Sequence, residues 1–312
     1  MAPLAARQRR AGLALTVLPG LAYLLALLIV AVVPGVSLGI YGGMPSVGCR
    51  LVAVARTGQR TLRRNLSPTV RSSLSALKQQ IRLHVWHELD AQGISTFPRP
   101  VRGRIPNVKG AEQAAEQLAA TPEWQAARVI KVNPDAPQRP VRFRALREGK
   151  TLLMPTPRLR AGFVVIDPSA VAANRWWEAS SIKGAFQLGI PISLDHLPAL
   201  DLLVFGSVAV SPQGDRVGKG EGYAELEFAV LRTLGRVPER VTIATTVHDA
   251  QVVDSIPREP FDVALDLICT PTRTIRVRDR GPRPPGVLWG QLPANRRAEM
   301  PILQTLYERL DR

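Results

Sequence analysis

Arg216-Val-Gly-Lys-Gly-Glu-Gly-Tyr223 sets glycines at alternate positions, Gly218, Gly220 and Gly222, with Lys219 between them and Arg216 just ahead. Glycine lets a backbone bend tightly enough to aim several N–H groups at one anion, and a helix starting there adds positive potential. The chemistry open to such a run is to grip phosphate, with Arg216 and Lys219 supplying formal charge. The spacing is neither the P-loop nor the dinucleotide fingerprint, so a plain glycine-rich turn stays open at this level. A second pair of cations, Lys78 and Arg82, stands four residues apart, which on a helix puts both on one face. Either that face meets an anion or it is merely solvated.

The surrounding pattern says what holds these residues. An apolar strand-like run, Leu202–Val210, and a turn, Ser211–Asp215, lead into the glycines; Leu226, Ala229, Val230 and Leu234 then recur at helical spacing. Ser67-Pro68 reads as a helix start, with Leu74, Leu77, Ile81, Val85 and Leu89 as its apolar stripe. A proline- and arginine-rich loop, Phe97–Asn107, precedes a helix-like Gly110–Ala120. Strand-like runs at Arg128–Val132, Thr151–Met154, Phe163–Ile166, Leu202–Phe205, Val241–Thr245 and Leu265–Thr270 alternate with helix-length pieces. That order predicts a layered α/β domain with a mostly parallel sheet, over about residues 67–275. Residues 276–312 read as a basic, proline-rich tail ending in a helix near Pro301–Leu310, and Thr272–Pro285 is expected on the surface.

The formal charge of +16 suggests nucleic acid until its distribution is read. Eleven cations precede the first acidic residue, Glu88, leaving 30 cations against 25 anions in the rest. With few aromatics and none interleaved with basic runs, a stacking platform for single strands is unsupported, and no specific nucleic acid is expected. Cys49 and Cys269 make neither a disulfide framework nor a zinc pattern, and a reducing cytosol fits. Leu13–Val33 is an uncharged run of 21 residues, long enough to cross a bilayer. Residues 1–66 are thus either a membrane segment with a basic leader or an over-extended start, with Met44 as the alternative beginning.

Taken in order, these pieces resemble the 5-formyltetrahydrofolate cyclo-ligase (methenyltetrahydrofolate synthetase) family from about Lys78 to Pro271. The family's opening helix carries a lysine and an arginine four apart, here Lys78-Gln-Gln-Ile-Arg82. Its ATP loop is matched by Arg216–Tyr223, and its strand ending in aspartate and threonine by Phe261-Asp-Val-Ala-Leu-Asp-Leu-Ile-Cys-Thr270. Val101–Asn107, Asn133–Gln138 and Gly218–Phe228 resemble the longer, divergent branch of archaea and animals. The resemblance implies a three-layer α/β/α domain of the NagB/RpiA/CoA-transferase-like fold. It also implies ATP-dependent conversion of 5-formyltetrahydrofolate to 5,10-methenyltetrahydrofolate, in the cytoplasm, by a monomer or homodimer.

By the same resemblance Lys78, Arg82 and Lys219 carry the reaction, and Arg216, Gly218, Gly220, Glu221, Gly222, Tyr223 and Ala224 complete the ATP site with those three. Glu225 and Asp262 would hold magnesium, and Tyr223 and Asp135 would meet the folate. Where the main family has tyrosine-aspartate after the loop's first tyrosine, Ala224-Glu225 stands here, so the second metal carboxylate is longer by a methylene. Those departures keep a rival open: a non-catalytic or differently catalytic descendant binding nucleotide or a pterin-like ligand, with a regulatory or RNA-associated role.

Among other candidates, Thr246-Val-His-Asp249 has no nucleophile motif to serve, and His84 and His87 lack further ligands. Trp176-Trp177 reads as packing or a lid contact, Cys269 as core, and the arginines of residues 102–104 as solvated or touching the folate tail.

Overall fold

A computed structural model describes residues 68–310, all within one compact unit. Ser67, the apolar run 13–33 and the basic leader lie outside the described residues. No described helix is long and apolar enough to cross a membrane.

Helix α1 (Pro68–Ala91) precedes α2 (Ala111–Ala119) and the short α3 (Pro122–Ala126), which Thr121 caps by accepting from the Trp124 N–H. Then come β1 (Val129–Val132), α4 (Arg139–Arg147), β2 (Thr151–Pro155), β3 (Phe163–Ile166), α5 (Trp176–Ala179), α6 (Ile182–Leu188) and β4 (Ile190–Ile192). After β5 (Leu202–Phe205), a small hairpin of β6 (Ala209–Val210) and β7 (Arg216–Val217) leads to α7 (Tyr223–Thr233). The chain continues through β8 (Thr242–Thr246), β9 (Leu267–Cys269) and β10 (Thr274–Arg276) to α8 (Ala294–Glu299) and α9 (Pro301–Leu310).

The sheet runs β10-β9-β8-β5-β1-β2-β3-β4. Pairing is parallel from β9 to β2 and antiparallel at both edges, the mostly parallel arrangement that the strand runs predicted. Side chains alternate between its faces. Ile130, Leu152, Val204 and Ala244 pack with α2 and α4 on one side. Leu153, Leu203, Phe205 and Ile243 pack with α7 and α9 on the other. The result is three layers, with α2, α4, α7 and α9 burying apolar side chains against the sheet at roughly 1.5–3 kcal/mol per large side chain. A third cluster joins Val85, Trp86 and Leu89 of α1 to Ala209 and Val217 of the hairpin, which is what brings α1 beside the glycine run.

Three short strands escape the sequence pattern, β4, β7 and β10, and the strand-like run Leu202–Val210 is broken into β5 and β6. β4 carries Pro191, tolerated because it is an edge strand. The stretch from Thr272 to Pro285, expected on the surface, is partly tied in. Arg283 donates to the Ala264 and Val241 carbonyls at 2.8 and 2.9 Å and pairs with Asp266. Beyond it Met300 and Leu303 are fully buried, in the core that contains Phe163 and Phe205.

Helix α4, between β1 and β2, lies on one face of the sheet; α7, between β5 and β8, lies on the other. Strand order therefore reverses between β1 and β5, and the loops leaving their carboxyl ends part. In an open α/β sheet this is where a ligand crevice forms.

Candidate functional site

A cavity of about 510 Å³ opens at that crevice. Asn133 and Asp135 follow β1 into its wall, Thr156 and Arg158 follow β2, and Gly206 follows β5. The residues singled out from the sequence all line it: Lys78, Arg82, Asp135, Arg216, Gly218, Lys219, Gly220, Glu221, Gly222, Tyr223, Ala224, Glu225 and Asp262. The fold brings them together from α1, the β1 loop, the β7–α7 connection and the segment before β9.

The glycine run forms the β7–α7 connection. Gly220 and Gly222 stand at φ 105° and 72°, the left-handed region that a side chain penalises. Gly222 is the N-cap of α7, so the positive end of that helix meets the cavity. Among the described residues no protein acceptor takes the N–H of Lys219, Gly220, Glu221 or Gly222. Arg82 braces the loop, its Nε donating to the Gly218 carbonyl at 2.7 Å. Lys219 is half-exposed and pairs with Glu221 at 2.8 Å.

Each carboxylate matched to metal binding is engaged by a cation. Lys78, buried on α1, reaches Asp262 at 2.6 Å and Glu259 at 2.7 Å. Arg216, also buried, donates to the Gly206 carbonyl at 2.8 Å and pairs with Glu225. Burial pushes the Asp262 carboxyl up against the pull of Lys78. Burial also raises Glu225, but Arg216, the helix backbone and Lys78 together outweigh it and hold the group below the usual carboxylate range. Among the described residues no cluster of three or more His, Cys, Asp or Glu could hold a metal unaided. Glu225 and Asp262 both line the cavity and are of the oxygen-donor type that magnesium takes alongside phosphates, each here paired with a cation.

Under the cavity lies a buried set that the sequence pattern did not single out. Lys131 of β1 pairs with Glu227 of α7, and Asn133 Nδ2 donates to Glu227 at 3.0 Å. Burial raises both the Glu227 and Asp135 carboxyls. Arg142 is fully buried, its guanidinium pushed down to about 9 by desolvation, and donates to the Asn133 and Asp135 carbonyls, fixing the β1 loop. The available signal was Lys131 itself, a charge in the apolar run Val-Ile-Lys-Val.

The other candidates fall elsewhere. His248 accepts from the Ala250 N–H as the cap of a short turn, and Asp249 takes the Thr270 and Thr272 hydroxyls. His84 and His87 are exposed on α1. Trp177 packs edge-on to Phe143 beneath Arg139, away from the cavity. Cys269 is core, its thiol pushed up to about 12 by burial. Arg102 and Arg104 are exposed and do not line the cavity.

Comparison with known proteins bears on what this cavity is. The model of the 5-formyltetrahydrofolate cyclo-ligase family matches residues 69–271. A methenyltetrahydrofolate synthase domain-containing protein of Mus musculus is 44% identical over 237 residues, 74% of this chain and 63% of that protein. Its Homo sapiens counterpart is 40% identical over 237 residues, 74% of this chain and 62% of the relative. This chain therefore spans somewhat under two thirds of the length of these relatives. A 5-formyltetrahydrofolate cyclo-ligase of Mycolicibacterium smegmatis is 26% identical over 134 residues, 42% of this chain and 64% of that enzyme. Among solved structures, the 5,10-methenyltetrahydrofolate synthetase of Aquifex aeolicus aligns over 66% of this chain and 95% of its own, at 20% identity and TM-score 0.43. The matched region contains α1, the sheet through β9, the glycine loop and Asp262, and on that extent of match the chain belongs to the 5-formyltetrahydrofolate cyclo-ligase family.

Proposed function

We propose that the chain is an ATP-dependent 5-formyltetrahydrofolate cyclo-ligase and that the cavity between β1 and β5 is its active site. The observation that carries this reading is the glycine loop: four neighbouring amides without a protein acceptor, at a helix N-terminus, with Lys78, Arg82, Arg216 and Lys219 around one cavity. Amides and cations so arranged suit the phosphates of ATP.

The reaction must turn the formyl oxygen on N5 into a leaving group. Transfer of the γ-phosphoryl group to that oxygen does so. N10 then attacks the formyl carbon, the C–O bond breaks, N10 gives up its proton, and 5,10-methenyltetrahydrofolate, ADP and phosphate are formed. Phosphoryl transfer asks a protein mainly for positioning and charge neutralisation. Amides of Lys219, Gly220 and Gly222 hold phosphate oxygens; Lys219 and Arg82 offset charge that grows in the transition state. Lys78 and Arg216 bind the nucleotide while keeping Asp262 and Glu225 in place. Glu225 and Asp262 would hold magnesium, which supplies further charge neutralisation when bound. Tyr223 and Asp135 face the folate, and Asn133 and Glu227 form the polar floor beneath it.

The test incubates the full chain with 5-formyltetrahydrofolate, ATP and magnesium and follows the absorbance of the methenyl product. Product that forms only with all three supports the reading. No product at ample protein overturns it.

A further inference from the structure

The matched family region ends at residue 271, yet the segment beyond it returns to the glycine loop. Arg296, on α8, donates from Nη2 to the Glu221 carbonyl at 2.9 Å, and its guanidinium lies 5.2 Å from the centre of the Tyr223 ring. The arginine is itself anchored. Its carbonyl accepts from the Met300 N–H at 3.2 Å, and Met300 is fully buried where α8 meets α9. Glu299, one helical turn along, pairs with the same guanidinium at 3.4 Å. Arg296 does not line the cavity, so it grips the loop from outside.

What that grip does follows from peptide geometry. In a trans peptide the carbonyl and the next residue's N–H point in opposite directions. A guanidinium that fixes the Glu221 carbonyl outward turns the Gly222 N–H away from itself, toward the cavity that Gly222 lines. Without such a tether this peptide would turn over at little cost, because glycines at φ 105° and 72° flank Glu221. We infer that Arg296 is a positioning residue that locks the Glu221–Gly222 peptide so that its N–H serves the anionic end of the nucleotide. The inference rests on the nucleotide reading above and extends the site beyond the matched region.

Three variants of the full chain, Arg296→Ala, Arg296→Lys and Arg297→Ala, test it against the unaltered protein. Arg297 is a control on the same helix, its guanidinium over Tyr307 instead. The measurements are ATP affinity by titration calorimetry, KM for ATP and for the folate, melting temperature, and amide hydrogen exchange across residues 216–224. Arg296→Ala should weaken ATP binding about tenfold, the loss of a charge-assisted hydrogen bond. The folate KM should hold and exchange in the loop should quicken. Arg296→Lys should recover part of the affinity, and Arg297→Ala should behave as the unaltered chain. Unchanged ATP affinity in Arg296→Ala, or an equal loss in Arg297→Ala, overturns the positioning role alone. An unaltered chain that binds no ATP overturns the nucleotide reading, and this inference with it.

Discussion

Gly220 shows how much the account asks of single residues. Its φ of 105° suits glycine alone, while the space where a side chain would go is open apart from the Arg82 guanidinium at 3.6 Å. Gly220→Ala therefore tests conformation with little steric confusion. The strained backbone should cost about 1–3 kcal/mol, or the loop should relax to another shape. In either case ATP affinity, read by calorimetry, should fall about tenfold while the far-UV signal is unchanged; equal affinity would mean that the loop's shape does not matter. Much of the site at this scale was legible, because glycine spacing and cations at helical spacing are local signals. Lys131, Asn133, Glu227, Glu259 and Arg296 were not. Each lies on a separate piece of chain and acquires meaning only when β1, α7 and α8 are packed together.

Between elements, the ion pair of Arg216 on β7 with Glu225 on α7 fixes the two ends of the glycine loop to each other. The Glu225 carboxyl sits below its ordinary range, Arg216 and its other partners outweighing the cost of burial. A carboxyl lowered in the folded state stabilises the fold above its unfolded pKa, and that stability is lost as pH falls through the lowered value. Denaturant unfolding of the nucleotide-free chain should thus show Glu225→Gln less stable by about 2 kcal/mol at neutral pH. The gap should narrow as pH falls below the ordinary carboxylate range and close once pH has passed the lowered value, where the folded wild-type carboxyl also loses its charge. A gap independent of pH would deny the pair its role. β1, β5 and β8, four or five residues each and rich in β-branched and apolar side chains, were readable from sequence. β7 and β10 were not, because two or three residues carry no usable periodicity and owe their pairing to neighbours.

Across the whole molecule, strand order reverses at the β1–β5 crevice, and the C-terminal segment is built into the layer that carries α7. The α9 residues Ile302, Leu303 and Leu306 share a core with Phe228 and Leu231 of α7. Leu303 is fully buried, and Leu303→Ala should cost about 2–5 kcal/mol, seen as a lower melting temperature. Activity should persist at temperatures where the variant stays folded. No loss of stability would place α9 outside the folding unit. Half of the +16 charge precedes α1 and half lies within residues 68–312, so net charge said little about the cavity, whereas the order of motifs along the chain pointed to the family.

The central claim, that ATP activates the formyl oxygen by phosphorylating it, is tested most directly with 5-formyltetrahydrofolate carrying oxygen-18 in its formyl group. Released phosphate should contain one labelled oxygen for each methenyl product formed. Product accompanied by unlabelled phosphate would contradict the account.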